Sequence, residues 1–282
     1  MMESWAGKSW FITGASSGLG KAIARKVLKE GGRVIATARD PGALAELVEL
    51  GGDRVLPVAL DVGNAAQVVS AVAEAERFGG FDVLLNNAGY GFLGGVEESS
   101  DEEIAHQMDV NFFGPVRLIR AALPAMRERG SGYVINMSSI AGMRTRQGAA
   151  FYGASKFALE GMSEALAGEL RSFGIHVMIV QPGYFRTDFS GRSIVHASTP
   201  HPAYPFLARQ REQAATVDGK QIGDPAAAAS AIVRAMDSDD PPLRLLLGSD
   251  AYAMALDVLD SRRAAVEDWR GLSESTDFPR DQ

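Results

Sequence analysis

The stretch KSWFITGASSGLGKAIARKVLKE, residues 8–30, contains an apolar run, a glycine-rich turn and a helical pattern in immediate succession. Residues 8–13 predict a buried strand, and residues 18–31 predict a helix. A strand that passes through a short turn directly into a helix is typical of the opening of an α/β fold. We therefore expect strands and helices to alternate along the rest of the chain.

Three glycines shape the turn, because Gly14, Gly18 and Gly20 leave room for a ligand to approach the backbone. The helix that follows offers N–H groups and a partial positive charge to a phosphate. The turn therefore predicts a dinucleotide-binding site. Its spacing is G-x-x-x-G-x-G, and the alternative is an ordinary strand-to-helix turn capped by Ser16 or Ser17.

Apolar, β-branched runs alternate with helical patterns through most of the sequence. Strands are predicted at 8–13, 33–38, 54–60, 82–87, 132–138, 175–181 and 243–248, and helices at 18–31, 41–50, 64–78, 101–129, 151–173, 225–237 and 250–269. Strands that are apolar on both faces indicate a doubly wound α/β fold, with a parallel sheet of about seven strands and helices on both faces. No linker divides the chain, so we expect one domain over residues 1–282. Residues 184–224 hold three prolines and mixed polarity, and we interpret this irregular segment as a substrate lid.

The composition limits the classes of partner. Of 282 residues, 46% are hydrophobic and 22% are charged, and the formal net charge is -7 without a basic stripe, which argues against nucleic acid and anionic membranes. There is no cysteine, and the four histidines lack metal-binding spacing, so no metal site is expected and a reducing compartment fits best. We find neither a signal-peptide pattern nor an apolar run of about 18 residues. These features favour a cytoplasmic protein.

The end of the second strand, ATARDP, bears on which dinucleotide binds. Arg39 stands near the position where an acidic residue holds the ribose 2′-hydroxyl of NAD, and a guanidinium suits a 2′-phosphate by charge and forked geometry. Asp40 and Pro41 are explained as the N-cap and the first residue of the next helix. We therefore favour NADP(H) over NAD(H); the alternative is that Arg39 is a solvated surface residue.

Two further loops belong at the same edge of the predicted sheet. Asp61 ends the third strand, where it could reach an adenine amino group or serve as a turn residue. The NNAG run at 86–89 follows the fourth strand, and Ala88 and Gly89 would let a flat ring or a ribose lie against the backbone. The alternative for this run is an ordinary polar turn.

A tyrosine and a lysine stand four residues apart in AAFYGASKFALEG, residues 149–161. On a helix, Tyr152 and Lys156 point the same way, near the carboxyl edge of the sheet. A nearby ammonium favours the phenolate, so we expect the pKa of Tyr152 to fall below its usual value of about 10. Such a tyrosine can give a proton to a carbonyl oxygen or take one from an alcohol. Taken alone, the pair could equally be two residues on a helix surface.

Two more polar positions lie near this pair. Ser138 and Ser139 end the fifth strand, where a serine can hydrogen-bond a substrate oxygen or simply close a turn. Asn111 lies inside the predicted helix 101–129, although asparagine is a poor residue for a helix interior. A local kink with a bound water would explain its presence.

Together, TGASSGLG, NNAG, Asn111, Ser139, YGASK and the QPG at 181–183 resemble the short-chain dehydrogenase/reductase family, with all motifs in order from about residue 7 to about residue 190. The resemblance implies a single-domain Rossmann-type fold and a nicotinamide cofactor. The details NNAGYG, NFFGPV and PGYFRTDF are similar to the 17β-hydroxysteroid-dehydrogenase-like branch.

The resemblance also implies a role for each matching residue. Tyr152 would be the general acid/base, Lys156 would hold the nicotinamide ribose, and Ser139 rather than Ser138 would be the catalytic serine. Asn111 would anchor a water that leads protons to Lys156. The cofactor-binding positions would be Gly14, Ser16, Ser17, Gly18, Leu19, Gly20, Arg39, Asp61, Val62, Asn87, Ala88, Gly89, Tyr152, Lys156, Pro182, Gly183 and Thr187. Many NADP-preferring members carry a basic residue where this chain has Ser17, so use of NAD(H) stays open.

The helix at 151–173 is rich in small residues, including Gly161 and Gly168. Each interior glycine costs about 1 kcal/mol relative to alanine, and the close approach of another helix would offset that cost. By the family resemblance this neighbour is a second subunit, in a homodimer or homotetramer. The alternative is close packing on the chain's own sheet.

We therefore expect an NADP(H)-dependent oxidoreductase that interconverts a carbonyl and a secondary alcohol. A hydrophobic small-molecule substrate is indicated by apolar residues around the predicted site, namely Phe92, Met143, Tyr184, Phe185 and Phe189. The alternative function is a non-catalytic NADP-binding regulator or scaffold of the same fold. A complete set of Tyr152, Lys156, Ser139 and Asn111 argues against that alternative.

Overall fold

The computed structural model describes residues 4–191, 193–216 and 219–278. Nine strands lie in these ranges: β1 (Ser9–Ile12), β2 (Arg33–Ala38), β3 (Val55–Ala59), β4 (Val83–Asn86), β5 (Gly91–Leu93), β6 (Gly132–Met137), β7 (Ile175–Pro182), β8 (Ile194–His196) and β9 (Arg244–Leu247). Seven of them form one parallel sheet in the order β3-β2-β1-β4-β6-β7-β9. All seven strands predicted from the sequence are present, which confirms the doubly wound α/β fold.

Helices follow most strands and cover both faces of the sheet. The α-helices are α1 (Gly18–Lys29), α2 (Ala45–Gly51), α3 (Ala65–Arg77), α4 (Asp101–Met108), α5 (Gly114–Arg129), α6 (Ala150–Leu170), α7 (Pro205–Thr216), α8 (Pro225–Met236), α9 (Ser249–Asp268) and α10 (Arg270–Glu274). A π-helix, Asp109–Phe113, joins α4 to α5. The single helix predicted over 101–129 is therefore interrupted.

Two apolar layers hold the helices on the sheet. Trp10 and Ile12 of β1 belong to the layer under α1 and α8, whereas Phe11 between them belongs to the layer under α3 and α5. All three side chains are completely buried. A strand buried on both faces loses the polar alternation of a half-exposed strand, and this explains why the strands read as continuous apolar runs.

The chain reverses its direction across the sheet at β1. From β1 it proceeds to β2 and β3 on one side, and it then returns to β4 on the other side. At such a reversal the loops after the two central strands diverge and leave a crevice outside their carboxyl ends. The glycine-rich turn follows β1 and the NNAG run follows β4, so the crevice lies between these two segments.

The segment 184–224 is more regular than the sequence predicts. Its strand β8 pairs in parallel with β5, and helix α7 begins at Pro205. Strands of three residues are too short to produce a recognisable alternation, and the mixed polarity of α7 hides its helical period. The prediction that this segment is irregular throughout is therefore wrong.

Helix α9 leaves the body of the fold along its length. Ala251, Ala255 and Val258 are buried against the body, whereas every described residue from Leu259 to Phe278 is exposed. Among the described residues, no helix combines the length and the apolar character needed to cross a membrane.

The two apolar layers give a stability prediction. Leu84 on β4 is completely buried, so Leu84→Ala should lower the free energy of unfolding by about 2–5 kcal/mol. Val69 on α3 is 65% exposed, and the control Val69→Ala should change it by less than about 0.5 kcal/mol. Urea denaturation followed by circular dichroism measures both values. Equal losses in the two variants would contradict this account of the core.

Candidate active site

The glycine-rich turn is closed so tightly that side chains are excluded from it. Gly14 and Gly18 have φ values of 65° and 55°, which side chains disfavour. A Cβ on Gly20 would lie 2.5 Å from Asn87 Nδ2 and would overlap the Gly14 carbonyl oxygen. Ser17 is the N-cap residue of α1, but its side chain makes no capping hydrogen bond. The backbone at the start of α1 is thus left to a ligand, and this cradle fits a dinucleotide phosphate.

Thr13 joins the two loops of the crevice. Its hydroxyl oxygen accepts hydrogen bonds from the backbone N–H groups of Asn87 (2.8 Å) and Ala88 (2.9 Å). The Asn87 side chain donates in return to the carbonyl oxygens of Thr13 (2.9 Å) and Gly14 (3.2 Å). The sequence reasoning missed Thr13, and its position at the head of the glycine-rich turn was the only available signal.

The adenosine side of the crevice shows which side chains are already engaged. Asp40 accepts a hydrogen bond from the Gly42 N–H (2.9 Å), as expected of an N-cap, while Arg39 is exposed. Asp61 accepts from the Gly63 N–H (2.9 Å), which is the turn role that the sequence left open. Val62 belongs to the apolar layer under α3 and α5, so only its backbone faces outward. Leu19, Ser16 and Ser17 in the first turn are half-buried.

Asn111 lies in the π-helix, completely buried. Its Oδ1 accepts from the Tyr90 N–H (3.1 Å), and its Nδ2 donates to the Tyr90 carbonyl oxygen (3.0 Å) and to Ser155 Oγ (3.4 Å). The widened turn of a π-helix frees backbone groups and re-aims side chains, and such turns occur often at functional sites. The predicted kink at Asn111 is therefore present, and it turns this side chain toward the NNAG loop.

Tyr152, Lys156 and Ser139 come together beyond β6. Tyr152 lies in the first turn of α6, and the Lys156 Nζ is 5.8 Å from the centroid of its ring. Lys156 is buried and donates a hydrogen bond to the Met137 carbonyl oxygen (2.8 Å). The side chain of Ser139, two residues beyond Met137, is hydrogen-bonded to Tyr152. A Cβ on Gly89 would lie 3.1 Å from Asn111 Oδ1 and 3.8 Å from Lys156 Nζ, so Asn111 and Lys156 both approach the backbone of the NNAG loop.

Burial determines the charge of this group. It raises the pKa of Tyr152 to about 12, although the hydrogen bond from Ser139 acts in the opposite direction. Burial also lowers the pKa of Lys156 to about 8, opposed by the negative charge of Glu160. The expected fall in the Tyr152 pKa is therefore wrong for this structure, because the cost of burying a phenolate outweighs the hydrogen bond from Ser139. Tyr152 is a protonated phenol at neutral pH.

The end of β7 approaches the glycine-rich turn from the other side. A Cβ on Gly18 would lie 3.5 Å from the Thr187 Cβ, so these two segments are in contact distance. Thr187 Oγ1 accepts from the Phe189 N–H (3.3 Å), and the Gly183 N–H donates to the Leu247 carbonyl oxygen (2.9 Å). Pro182 is buried at the end of the strand. The Pro182–Gly183 turn and Thr187 thus line the same crevice as the turn after β1.

The apolar residues expected around the site divide into two groups. Phe189 and Tyr184 are 38% and 50% exposed, and the Phe189 ring lies 5.9 Å from the Tyr152 ring. Phe92 and Phe185 are buried, at 1% and 9% exposure. Phe92 lies in β5, and Phe185 packs into the apolar layer under α1 and α8.

A cradle for a dinucleotide beside a half-buried tyrosine and a buried lysine, at the carboxyl edge of a parallel sheet, defines a nucleotide-dependent oxidoreductase site. The model of the family described as short chain dehydrogenase matches residues 8–196, and the chain belongs to this family.

Curated relatives carry matching names. The protein is 39% identical to the oxidoreductase BOA17 of Botryotinia fuckeliana (strain B05.10) over 94% of this chain and 98% of that protein. It is 38% identical to a 3-ketodihydrosphingosine reductase of Bacteroides thetaiotaomicron over 84% of this chain and 86% of that protein.

Solved structures of the family agree with the fold. A short-chain dehydrogenase from Streptomyces avermitilis has a TM-score of 0.90 and 43% identity, over 96% of this chain and 100% of that chain. A short-chain dehydrogenase from Burkholderia cenocepacia J2315 in complex with NADP has a TM-score of 0.74 and 27% identity, over 94% and 98% of the two chains. One from Burkholderia phymatum in complex with NAD has a TM-score of 0.80 and 28% identity, over 94% and 96%. The protein is an NAD(P)-dependent oxidoreductase, and these two solved relatives bind NADP and NAD, respectively.

The Thr13 bridge gives a test of the crevice. Thr13→Val removes the hydroxyl but keeps the shape, and it leaves two backbone N–H groups without their acceptor. We expect a loss of about 1–3 kcal/mol in the free energy of unfolding together with weaker cofactor binding. Urea denaturation and titration of NADPH fluorescence measure the two effects, and Thr13→Ser should retain both properties. A Thr13→Val variant that matches the wild type would show that the hydroxyl does not join the loops.

Proposed function

We propose that this protein is an NADP(H)-dependent enzyme that interconverts a carbonyl and a secondary alcohol on a hydrophobic small molecule. The observation that carries the proposal is the grouping of Tyr152, Ser139 and Lys156 around one space beside the nucleotide cradle. The proposal is also supported by the turn after β1 and the loop after β4, which carry several of the cofactor-binding residues expected from the sequence.

Each side chain has a role in the chemistry. When bound, the cofactor supplies or accepts a hydride at its nicotinamide ring. Tyr152 gives its phenolic proton to the carbonyl oxygen as the alcohol forms, while Ser139 donates a hydrogen bond that fixes this oxygen. Lys156 keeps a positive charge beside the phenolate that is left behind, and this lowers the energy of the charged state. Asn111, in its π-turn, would hold the water that returns a proton toward Lys156.

The protonation of Tyr152 favours reduction at neutral pH. Because burial raises its pKa to about 12, the phenol holds its proton below that pH and can act as a donor. Oxidation of an alcohol needs the phenolate, and its fraction increases as the pH rises toward the pKa. Reduction should therefore be the faster direction near pH 7, and oxidation should gain with alkaline pH.

The environment of Arg39 supports a preference for NADP(H). Its guanidinium is exposed at the end of β2, and the neighbouring carboxylate of Asp40 is occupied by its capping bond to Gly42. A 2′-phosphate at this position would meet the Arg39 guanidinium, whose charge and forked geometry suit it, while the adjacent Asp40 carboxylate keeps its charge and opposes part of this attraction. A solved relative binds NADP and another binds NAD, so Arg39 is the residue on which the preference depends.

Removal of this guanidinium tests the preference. Arg39→Ala should weaken NADPH binding about 10- to 100-fold, since a charge-assisted hydrogen bond contributes about 1.5–3 kcal/mol. NADH binding should change little, because it has no 2′-phosphate. Isothermal titration with the two cofactors measures the ratio of their dissociation constants. An equal loss for both cofactors would contradict the assignment.

The residues around Tyr152 support an apolar substrate. Phe189 lies against the Tyr152 ring, and Tyr184 presents an exposed ring at the same edge. The name of the Bacteroides relative, 3-ketodihydrosphingosine reductase, points to a ketone with a long apolar body. We propose the same substrate class for this protein, namely a ketone or alcohol on a bulky apolar molecule.

Residues 184–224 are proposed to form the lid over this substrate. Carboxylates from the loop after β5 and from α4 hold it: Glu98 Oε1 accepts from the His201 N–H (2.9 Å), and Glu103 Oε1 accepts from the Ser198 N–H (2.9 Å). With the lid included, residues 1–282 would form one domain, as the sequence predicts. Opening of the lid on the time scale of turnover would require these bonds and the pairing of β8 with β5 to break and re-form.

A homo-oligomer is part of the proposal. Positions 161 and 168 of α6 are glycines with open space around them, so nothing in the described chain explains the helix cost of these two residues. Phe157, on the same helix, is 40% exposed. A second copy packed on this face, in a homodimer or homotetramer, would account for both features. The cytoplasmic location and the absence of nucleic-acid and membrane partners stay predictions from the sequence.

Substitution of the tyrosine separates this function from a non-catalytic, NADP-binding role. Tyr152→Phe should keep the fold and NADPH binding but lower the turnover of NADPH with carbonyl substrates about 100- to 10,000-fold, because the proton donor is lost. The assay follows NADPH absorbance with ketones that range from small and polar to bulky and apolar, and the bulky ones should react fastest. Undiminished turnover in this variant would refute the mechanism, and better turnover of small polar ketones would refute the substrate class.

A further inference from the structure

A buried carboxylate lies one helical turn beyond Lys156. Glu160 is 6% exposed, and every hydrogen bond described for it comes from a different segment of the site. Its Oε1 accepts from Ser138 Oγ (2.6 Å), both oxygens accept from Gln181 Nε2 (2.9 and 3.0 Å), and Oε2 is 3.4 Å from Arg244 Nε. A buried charge costs free energy unless it is paired and hydrogen-bonded, and here both conditions are met.

The partners of Glu160 are the direct neighbours of active-site residues. Ser138 precedes Ser139, and Gln181 precedes the Pro182–Gly183 turn. The N–H of Ser138 donates to the Val180 carbonyl oxygen (2.8 Å), so β6 and β7 present Ser138 and Gln181 side by side to α6. One carboxylate thus joins the helix of Tyr152 and Lys156 to the strand ends that carry the serine and the turn.

The loop after β6 is shaped to let this carboxylate in. A Cβ on Gly142 would overlap Glu160 Oε1 and would lie 2.7 Å from Ser138 Oγ. Gly142 ends the short 3₁₀ helix that Ser139 caps, with Ser139 Oγ accepting from the Ala141 N–H (3.1 Å). The position of Ser139 therefore depends on a contact that only a glycine at 142 permits.

We propose that Glu160 is a positioning residue of the active site, which holds Lys156 as a cation and fixes the loop that carries Ser139. It acts through these two residues and does not touch the reacting atoms. The proposal rests on the function proposed above, because it assigns to Lys156 a charge that the chemistry uses.

The electrostatics around Lys156 give the direction of the effect. Burial lowers its pKa to about 8, and the charge of Glu160 opposes this fall. The other titratable and charged groups around the pair come from four segments. They are Tyr152 and Glu164 on α6, Arg244 on β9, Tyr184 after β7, and Asp250 on α9, whose Oδ2 accepts from the Tyr184 N–H. Loss of the Glu160 charge should lower the pKa of Lys156, so that its proton leaves at lower pH. Loss of the Arg244 charge should raise this pKa, because a nearby positive charge is removed.

The first measurement is the titration of Lys156 in the free protein by carbon-13 NMR of lysine labelled at the ε-carbon. The chain has six lysines, and the signal that disappears in Lys156→Met assigns the residue. In Glu160→Gln the midpoint should move to lower pH by about one unit. In Arg244→Gln the midpoint should move to higher pH. This shift should be smaller, because the Arg244 side chain is 37% exposed and solvent screens its charge. Glu164→Gln is the matched control, because this carboxylate binds the same guanidinium but is 63% exposed, and it should leave the midpoint in place.

The second measurement is the pH profile of kcat/KM for carbonyl reduction, whose falling limb should shift with the same sign in each variant. Glu160→Asp keeps the charge and should restore the limb even if kcat stays low. Unchanged midpoints and limbs in Glu160→Gln and Arg244→Gln, with only a uniform loss of activity, would overturn the proposal. If Glu160→Gln does not fold, Arg244→Gln decides. A wild-type protein without turnover would refute the proposed function, whereas the NMR titration would still decide the role of Glu160.

Discussion

All seven strands of the central sheet run in the same direction, and this constraint determines where the chemistry takes place. The glycine-rich turn, the NNAG loop, Ser139 and the Pro182–Gly183 turn follow β1, β4, β6 and β7, and each leaves the sheet at the same edge. A parallel sheet needs a helix after each strand, and α6 brings Tyr152 and Lys156 to that edge at its own N-terminal end. The site therefore forms as a direct result of sheet assembly, although its residues span most of the sequence.

Polar contacts fix the position of α6 on the sheet. Asn136 donates to Ser163 Oγ (2.8 Å), and Ser138 and Gln181 donate to Glu160, all in buried surroundings. Apolar contacts are not directional and permit small shifts of a helix along a sheet, whereas hydrogen bonds require defined distances and angles. A shift by one turn would leave several buried polar groups unpaired, at a cost of about 1–3 kcal/mol each. The same contacts thus hold the catalytic pair within reach of Ser139.

The sequence predicts the sheet well because its strands are buried on both faces and leave long apolar runs, as in VIATA at 34–38. The candidate site could be predicted as far as its motifs are local, which holds for Gly14–Gly20 and for Tyr152 with Lys156. The rest depends on contacts between distant segments. The high pKa of Tyr152 results from burial, which a sequence does not show, and Glu160 meets Ser138, Gln181 and Arg244 only in the folded chain. Strand β8 and helix α7 were missed because short or polar elements lack a clear period.

The exposed end of α9 has a consequence for how this protein can change. From Leu259 to Phe278 no described residue is buried, although Arg262 donates to the Met143 carbonyl oxygen and lies over the Phe157 ring. Apart from Arg262, substitutions there are limited by solubility and by helix propensity, and not by burial in the core. This end can therefore accept a fused domain or an altered surface without a redesign of the enzyme.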